Sequence, residues 1–130
     1  MPSIAAVANV KVTGFDHIVL AVQDVERSLA WYCGELGLAG VRVEEWRAGK
    51  VPFPSVRVDD TTIIDFIPRA APQDPAPTKN LDHICLVVEP TDLSSLGETG
   101  PRFGAQGVGT SVYIEDPDGN TVELRHYGSP

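Results

Sequence analysis

One octet occurs twice in this chain and limits what it can become. Phe15-Asp16-His17-Ile18-Val19-Leu20-Ala21-Val22 returns in the second half as Leu81-Asp82-His83-Ile84-Cys85-Leu86-Val87-Val88, with Asp, His, Ile, Leu and Val in register. Each copy is rich in β-branched and apolar residues and bounded by turn formers, the pattern of a strand. Side chains alternate across a strand, so Phe15, His17, Val19 and Ala21 share one face, and Leu81, His83, Cys85 and Val87 the matching face of the second copy. The opposite faces (Ile18, Leu20, Val22; Ile84, Leu86, Val88) are wholly apolar. A strand apolar on both faces is buried on both. Each histidine then sits on an inward face, where a polar ring needs a partner. Two such histidines at equivalent places in a duplicated unit suggest one shared site.

The surroundings of the two copies fill out the repeat. Asp24 stands where a helix N-cap belongs, with Glu26 in the first turn. Val25, Leu29, Tyr32, Cys33 and Leu36 follow helical spacing, and Gly37 supplies the stop. Strands are predicted over 41–46, 53–58 and 61–67, so the first half reads β-α-β-β-β. Residues 1–13 read as an N-terminal arm and 14–68 as the first module. Pro68, Pro72, Pro75 and Pro77 make 69–80 a linker. Residues 81–130 form a second, abbreviated module. Its helix is reduced to about one turn over 91–97. Residues 101–109 are glycine-rich and read as an irregular strand with a loop. A hairpin of 111–115 and 121–127 closes across Asp116-Pro117-Asp118-Gly119-Asn120. Ile63-Ile64-Asp65-Phe66 in the first half matches Thr121-Val122-Glu123-Leu124 in the second. Each places an acid inside an apolar strand, and carboxylates are rarely buried unless paired or bound to a cation. Each half therefore offers one His from its first strand and one carboxylate from its last.

At 130 residues the chain is one domain, or two small halves fused into one. A formal net charge of −8 argues against a nucleic-acid partner, whose phosphates need a basic surface, and against a polybasic membrane contact. No apolar run approaches a membrane span, and the first residues lack the basic region of a signal peptide. Cys33 and Cys85 read as free thiols of a reducing compartment. The expectation is a cytoplasmic protein acting on a small molecule. Closed symmetry and open sheet edges favour a homodimer.

The motifs Asp16-His17-Ile18-Val19-Leu20, Asp82-His83-Ile84-Cys85-Leu86 and Tyr113-Ile114-Glu115-Asp116-Pro117-Asp118-Gly119-Asn120-Thr121-Val122-Glu123-Leu124 resemble those of the vicinal-oxygen-chelate superfamily, over residues 14–127. That superfamily contains glyoxalase I, extradiol dioxygenases, methylmalonyl-CoA epimerase, fosfomycin-resistance enzymes and bleomycin-binding proteins. The resemblance implies an α+β fold of two βαβββ modules forming a glyoxalase-like pair of half-barrels, here with a shortened second helix. It places a divalent metal on His17, Asp65, His83 and Glu123. Imidazole with carboxylate suits Zn, Ni, Co, Mn or Fe. It further implies a metal-dependent isomerase or lyase that stabilises an enolate or oxyanion of a small oxygenated metabolite, with Glu123 first and Asp65 second as proton carriers. Asp65 stands where glyoxalase I has the longer Glu. Ala21 and Arg69 stand where the bacterial enzyme has an Arg that grips glutathione and an Asn, so the resemblance does not extend to glutathione.

Two alternatives share the same frame. A ring-cleaving extradiol-type dioxygenase needs only two His and one carboxylate. It would use Tyr113, which stands where those enzymes carry a catalytic Tyr, but no third inward His is present to assist. A metal-free drug- or metabolite-binding resistance protein would make the histidines structural. Arg57 and Arg102 are candidate clamps for an acidic substrate. Trp46, Phe53 and Phe103 are candidate lining residues, or core and dimer contacts. Asp16 and Asp82 read as turn or edge residues, and His126 as a surface residue.

Overall fold

The computed structural model describes residues 10–69, 80–115, 117 and 121–129. The arm over 1–9, the linker over 70–79, and positions 116 and 118–120 of the last turn lie outside them. In chain order the elements are β1 (Val12–Val22), α1 (Val25–Ala30), β2 (Ala39–Val41), α2 (Val43–Arg47), β3 (Ser55–Asp59), β4 (Thr62–Pro68), β5 (Leu81–Val88), β6 (Gly100–Gly104), β7 (Gly107–Glu115) and β8 (Thr121–His126). A single 3₁₀ turn, Ser94–Leu96, replaces the helix of the second half. The class is α+β: the first half runs β-α-β-α-β-β, and the second keeps its four strands with the 3₁₀ turn after the first of them.

The Asp24 side chain caps α1, accepting from the Arg27 backbone N–H at 3.1 Å. Val25 and Leu29 are buried, and Tyr32 and Cys33 pack against the same core. Leu36 does not follow them, contrary to the helical spacing. After α1 the backbone widens into a π-type turn over Trp31–Glu35. The wider turn rotates the next residue off the core face, and Leu36 is exposed.

The strand expected over 41–46 is corrected. β2 ends at Val41, Arg42 takes the left-handed region at φ 58°, and α2 follows. Val43 and Trp46 lie three apart, on one helical face, and both pack on the core; strand alternation would have separated them. Residues 101–109 are not irregular either. β6 and β7 form an ordered hairpin from Gly100↔Ser111 to Gly104↔Gly107, with Gly107 supplying φ 98° at its turn.

The described residues fall into two compact units. One comprises those of Ile18–Asp82, the other those up to His17 together with those from His83 onward. In the first the strands run in the order β2-β3-β4-β1, in the second β1-β5-β8-β7-β6. β5 and β8 pair in parallel, whereas β2–β3, β3–β4, β6–β7 and β7–β8 are antiparallel. The core of the first unit is Val25, Leu29, Val56 and Phe66. That of the second is Val88, Leu93, Val112 and Leu124. Burying each such side chain is worth about 1.5–3 kcal/mol. Among the described residues no helix is long and apolar enough to cross a membrane.

Candidate metal centre

Within the second unit, β1, β5 and β8 bring three donors together. His17, His83 and Glu123 each offer one ligand atom, all within 4.8 Å of one another. Glu123 Oε1 lies 3.1 Å from His17 Nε2 and 3.0 Å from His83 Nε2. The two imidazole centroids stand 5.5 Å apart, edge to face at 79°. His17 and Glu123 are buried, and His83 nearly so.

Two of the donors, His17 and Glu123, are held from behind. The Asp16 carboxylate Oδ2 stands 2.7 Å from His17 Nδ1. Because an ionised carboxylate can only accept, Nδ1 carries the hydrogen and Nε2 points at Glu123. Glu123 Oε2 accepts from Ser111 Oγ at 2.7 Å and from Arg125 Nη2 at 2.6 Å, which leaves Oε1 for the histidine side. Asp16 in turn accepts from the Ala105 N–H at 2.9 Å and from the Tyr127 hydroxyl.

The electrostatics follow from these contacts. Burial alone would raise the Glu123 carboxyl, but its close contacts with the His17 and His83 rings and the Arg125 charge outweigh it and hold it well below the usual range. Asp16 is likewise lowered: burial opposes, and His17, Tyr127, the Ala105 amide and Arg125 prevail. A second group of possible donors, Asp16, His17 and Cys85, shares His17. It fits an ion less well. Burial pushes the Cys85 thiol up, although a hydrogen bond with His17 opposes this, and a protonated thiol is a poor ligand. Both Asp16 oxygens are already engaged. The donor chemistry of His17, His83 and Glu123 fits a divalent ion: two imidazole nitrogens, one anionic oxygen, and outer partners that orient His17 and Glu123.

Tyr113 faces Glu123 across the β7–β8 ladder, and its ring stands edge-on to His83 with centroids 5.5 Å apart. Burial and the Glu123 charge push its phenol up, so it stays protonated. Arg102 is exposed, with its guanidinium carbon 5.8 Å from the centre of the Tyr113 ring. Phe103 is half-buried, and its carbonyl accepts from Arg125 at 2.9 Å.

The remaining site expectations fall in the other unit. Asp65 is buried there and accepts from Ser55 Oγ, directly opposite it in the β3–β4 ladder. It is not among the three gathered donors. Arg57 Nη1 donates to the Asp59 and Asp60 carbonyls at 3.0 and 3.2 Å. Phe53 is half-buried and Trp46 packs on the core.

Sequence reasoning passed over three members of the network and misplaced a further histidine. Asp16, read as a turn or edge residue, is fully buried because both faces of β1 are covered where it sits. Arg125 and Tyr127 were passed over. The signal for Arg125 was available: two residues after Glu123, it shares that strand face. His126, expected at the surface, is buried, its Nδ1 2.6 Å from the Gly128 carbonyl.

Three candidate metal donors on an α+β frame point to the class of protein. Residues 14–124 match the family model of the Glyoxalase/Bleomycin resistance protein/Dioxygenase superfamily, and the chain belongs to that superfamily. It is similar to virulence protein STM3117 of Salmonella typhimurium, 28% identical over 124 residues, 86% of this chain and 83% of that one. It is also similar to the glyoxalase domain-containing protein RDO1 of Mycosarcoma maydis, 26% identical over 131 residues, 92% of this chain and 71% of that one. Among solved structures, methylmalonyl-CoA epimerase from Mycobacterium tuberculosis shares the fold at TM-score 0.60 and 18% identity, covering 92% of this chain and 91% of that one. A 2,2',3-trihydroxybiphenyl 1,2-dioxygenase from Sphingomonas wittichii does so at TM-score 0.52 and 15% identity, over 99% of this chain and half of the dioxygenase.

Proposed function

We propose that this chain is a metal-dependent enzyme of its superfamily, of the isomerase or lyase type, acting on a small oxygenated metabolite. The observation that carries this reading is the convergence of His17 Nε2, His83 Nε2 and Glu123 Oε1, each held by an outer partner or a neighbouring donor. A divalent ion bound there would supply Lewis acidity to two adjacent substrate oxygens. The protein's own residues then divide the work. Glu123 serves as a ligand rather than a proton carrier, since Oε2 is occupied by Ser111 and Arg125 and the group stays ionised. Tyr113, protonated and edge-on to His83, donates a hydrogen bond to the bound substrate. Arg102 beside Tyr113 attracts an anionic group on it.

A second reading, ring-cleaving dioxygenase, is favoured by one specific observation: the gathered donors are two histidines and one carboxylate, with a protonated tyrosine alongside. The test is metal content by mass spectrometry of the purified protein and of protein incubated with Zn, Ni, Co, Mn or Fe(II), together with oxygen uptake on catechols, for wild type and His83→Ala. One ion per chain is expected in wild type, lost in His83→Ala. Zn, Ni or Co held by His83 without oxygen uptake supports the isomerase or lyase, whereas Fe(II) or Mn with oxygen uptake on catechols supports the dioxygenase. A wild type that takes up none of these ions refutes both.

A further inference from the structure

Among the described residues Arg125 is the largest fully buried side chain. A buried guanidinium is costly, and replacing buried ionic groups by apolar ones is often neutral or stabilising. Stability alone therefore does not explain it. Its contacts are directional. Nη2 donates to Glu123 Oε2 at 2.6 Å and to the Phe103 carbonyl at 2.9 Å. Nη1 donates to the Arg102 carbonyl at 3.2 Å and to the Tyr127 hydroxyl at 3.3 Å. Nε makes no hydrogen bond among the described residues and lies 4.0 Å from Asp16 Oδ2. The group is seated for its Nη contacts at the expense of Nε. Gly104 and Gly109 make the seat: a Cβ at Gly104 would lie 2.0 Å from Nη1, and one at Gly109 3.2 Å from it.

We propose that Asp16 and Arg125 are positioning residues for two of the three donors, His17 and Glu123. Asp16 keeps the His17 ring turned so that Nδ1 faces inward and Nε2 faces Glu123. Arg125 occupies Glu123 Oε2, so that Oε1 alone is presented. Tyr127 joins the two, donating to Asp16 while accepting from Arg125. The web fixes both ends of the donor set from one buried guanidinium, and it rests on the metal-enzyme reading above. A purely structural web would hold the fold without affecting which atoms face an ion. A positioning web affects the ion first, and outer-sphere partners of this kind are typically worth about 10–100-fold in metal affinity.

The experiment is a Co(II) titration by visible absorption, with Zn(II) affinity from chelator competition, on full-length wild type, Asp16→Asn, Arg125→Met and Arg125→Lys. Asp16→Asn and Arg125→Met are each expected to bind about 10–100-fold more weakly and to change the Co(II) spectrum. Arg125→Lys, which returns a cation beside Oε2, is expected to recover part of the loss. Folded Asp16→Asn and Arg125→Met with wild-type affinity and spectrum would overturn the proposal. Should these variants fail to fold, ¹⁵N-histidine spectra of wild type decide it. A bound proton on His17 Nδ1 is expected with and without Zn(II), and an unprotonated Nδ1 would overturn it. Wild type that binds neither ion would instead refute the metal-enzyme reading, so the two failures are distinct.

Discussion

Gly104→Ala tests the cradle directly. The added Cβ would stand 2.0 Å from Arg125 Nη1, 2.5 Å from its Cζ and 2.5 Å from the Tyr127 hydroxyl. The two Arg125 atoms cannot swing into solvent, because the guanidinium is fully buried. Either β6 shifts, which breaks its carbonyl bonds to Arg125, or Arg125 withdraws and leaves Glu123 Oε2 with Ser111 alone among the partners given above. Removing one partner of a buried pair costs about 3–5 kcal/mol, and the loss expected here lies in that range. Gly34→Ala is the control: nothing lies within 4 Å of its added Cβ, and a change of about 1 kcal/mol or less is expected. Urea unfolding reads both through the midpoint, with the slope checked for constancy. In an Arg125→Met background the cost of Gly104→Ala should shrink, giving an interaction energy of about 1–3 kcal/mol. A Gly104→Ala protein within about 0.5 kcal/mol of wild type, or one whose loss is unchanged by Arg125→Met, would refute the steric reasoning.

Acid should unfold the protein early. Glu123 and Asp16 are held below their ordinary values of 4.5 and 3.8, so they bind protons more weakly folded than unfolded. Their stabilisation is complete above those ordinary values and drains away as pH falls beneath them. The melting temperature should therefore be level toward neutral pH and drop below about pH 4.5, with a shallower drop in Glu123→Gln. Asp24→Ala removes the α1 cap and should cost about 1 kcal/mol, read by urea unfolding, while leaving metal affinity at the wild-type value.

Much of the fold was legible because the repeat is written in residues whose faces alternate. The two octets lie within β1 and β5, and the matched acid segments within β4 and β8. The Asp24 cap was equally plain, because a capping carboxylate acts on a donor only three residues away. What escaped was set by longer-range forces. Val43 and Trp46 suit a strand or a helix, and the core they join decides between them. Leu36 keeps helical spacing in sequence, but the π-type turn cancels it. Of the donors, His17, His83 and Glu123 were readable as inward polar groups on apolar strands. Asp16 was not, because an acid beside a histidine at a strand entrance looks the same whether water or Tyr127 stands opposite. Arg125 was overlooked because a cation on an inward face reads as an exception until its carbonyl and carboxylate partners are seen.

The second compact unit is assembled from both ends of the chain, and Asp16 meets Tyr127 across 111 positions. This sets a timetable for biosynthesis. His17 leaves the ribosome early, but Glu123, Arg125 and Tyr127 arrive with the last strand, so no partly made chain can hold the three donors in place. Contacts of such long range also slow the search for the native state. An ion held by the three donors proposed above could be captured only after β8 has paired with β5, so its binding would follow folding of this unit rather than seed it.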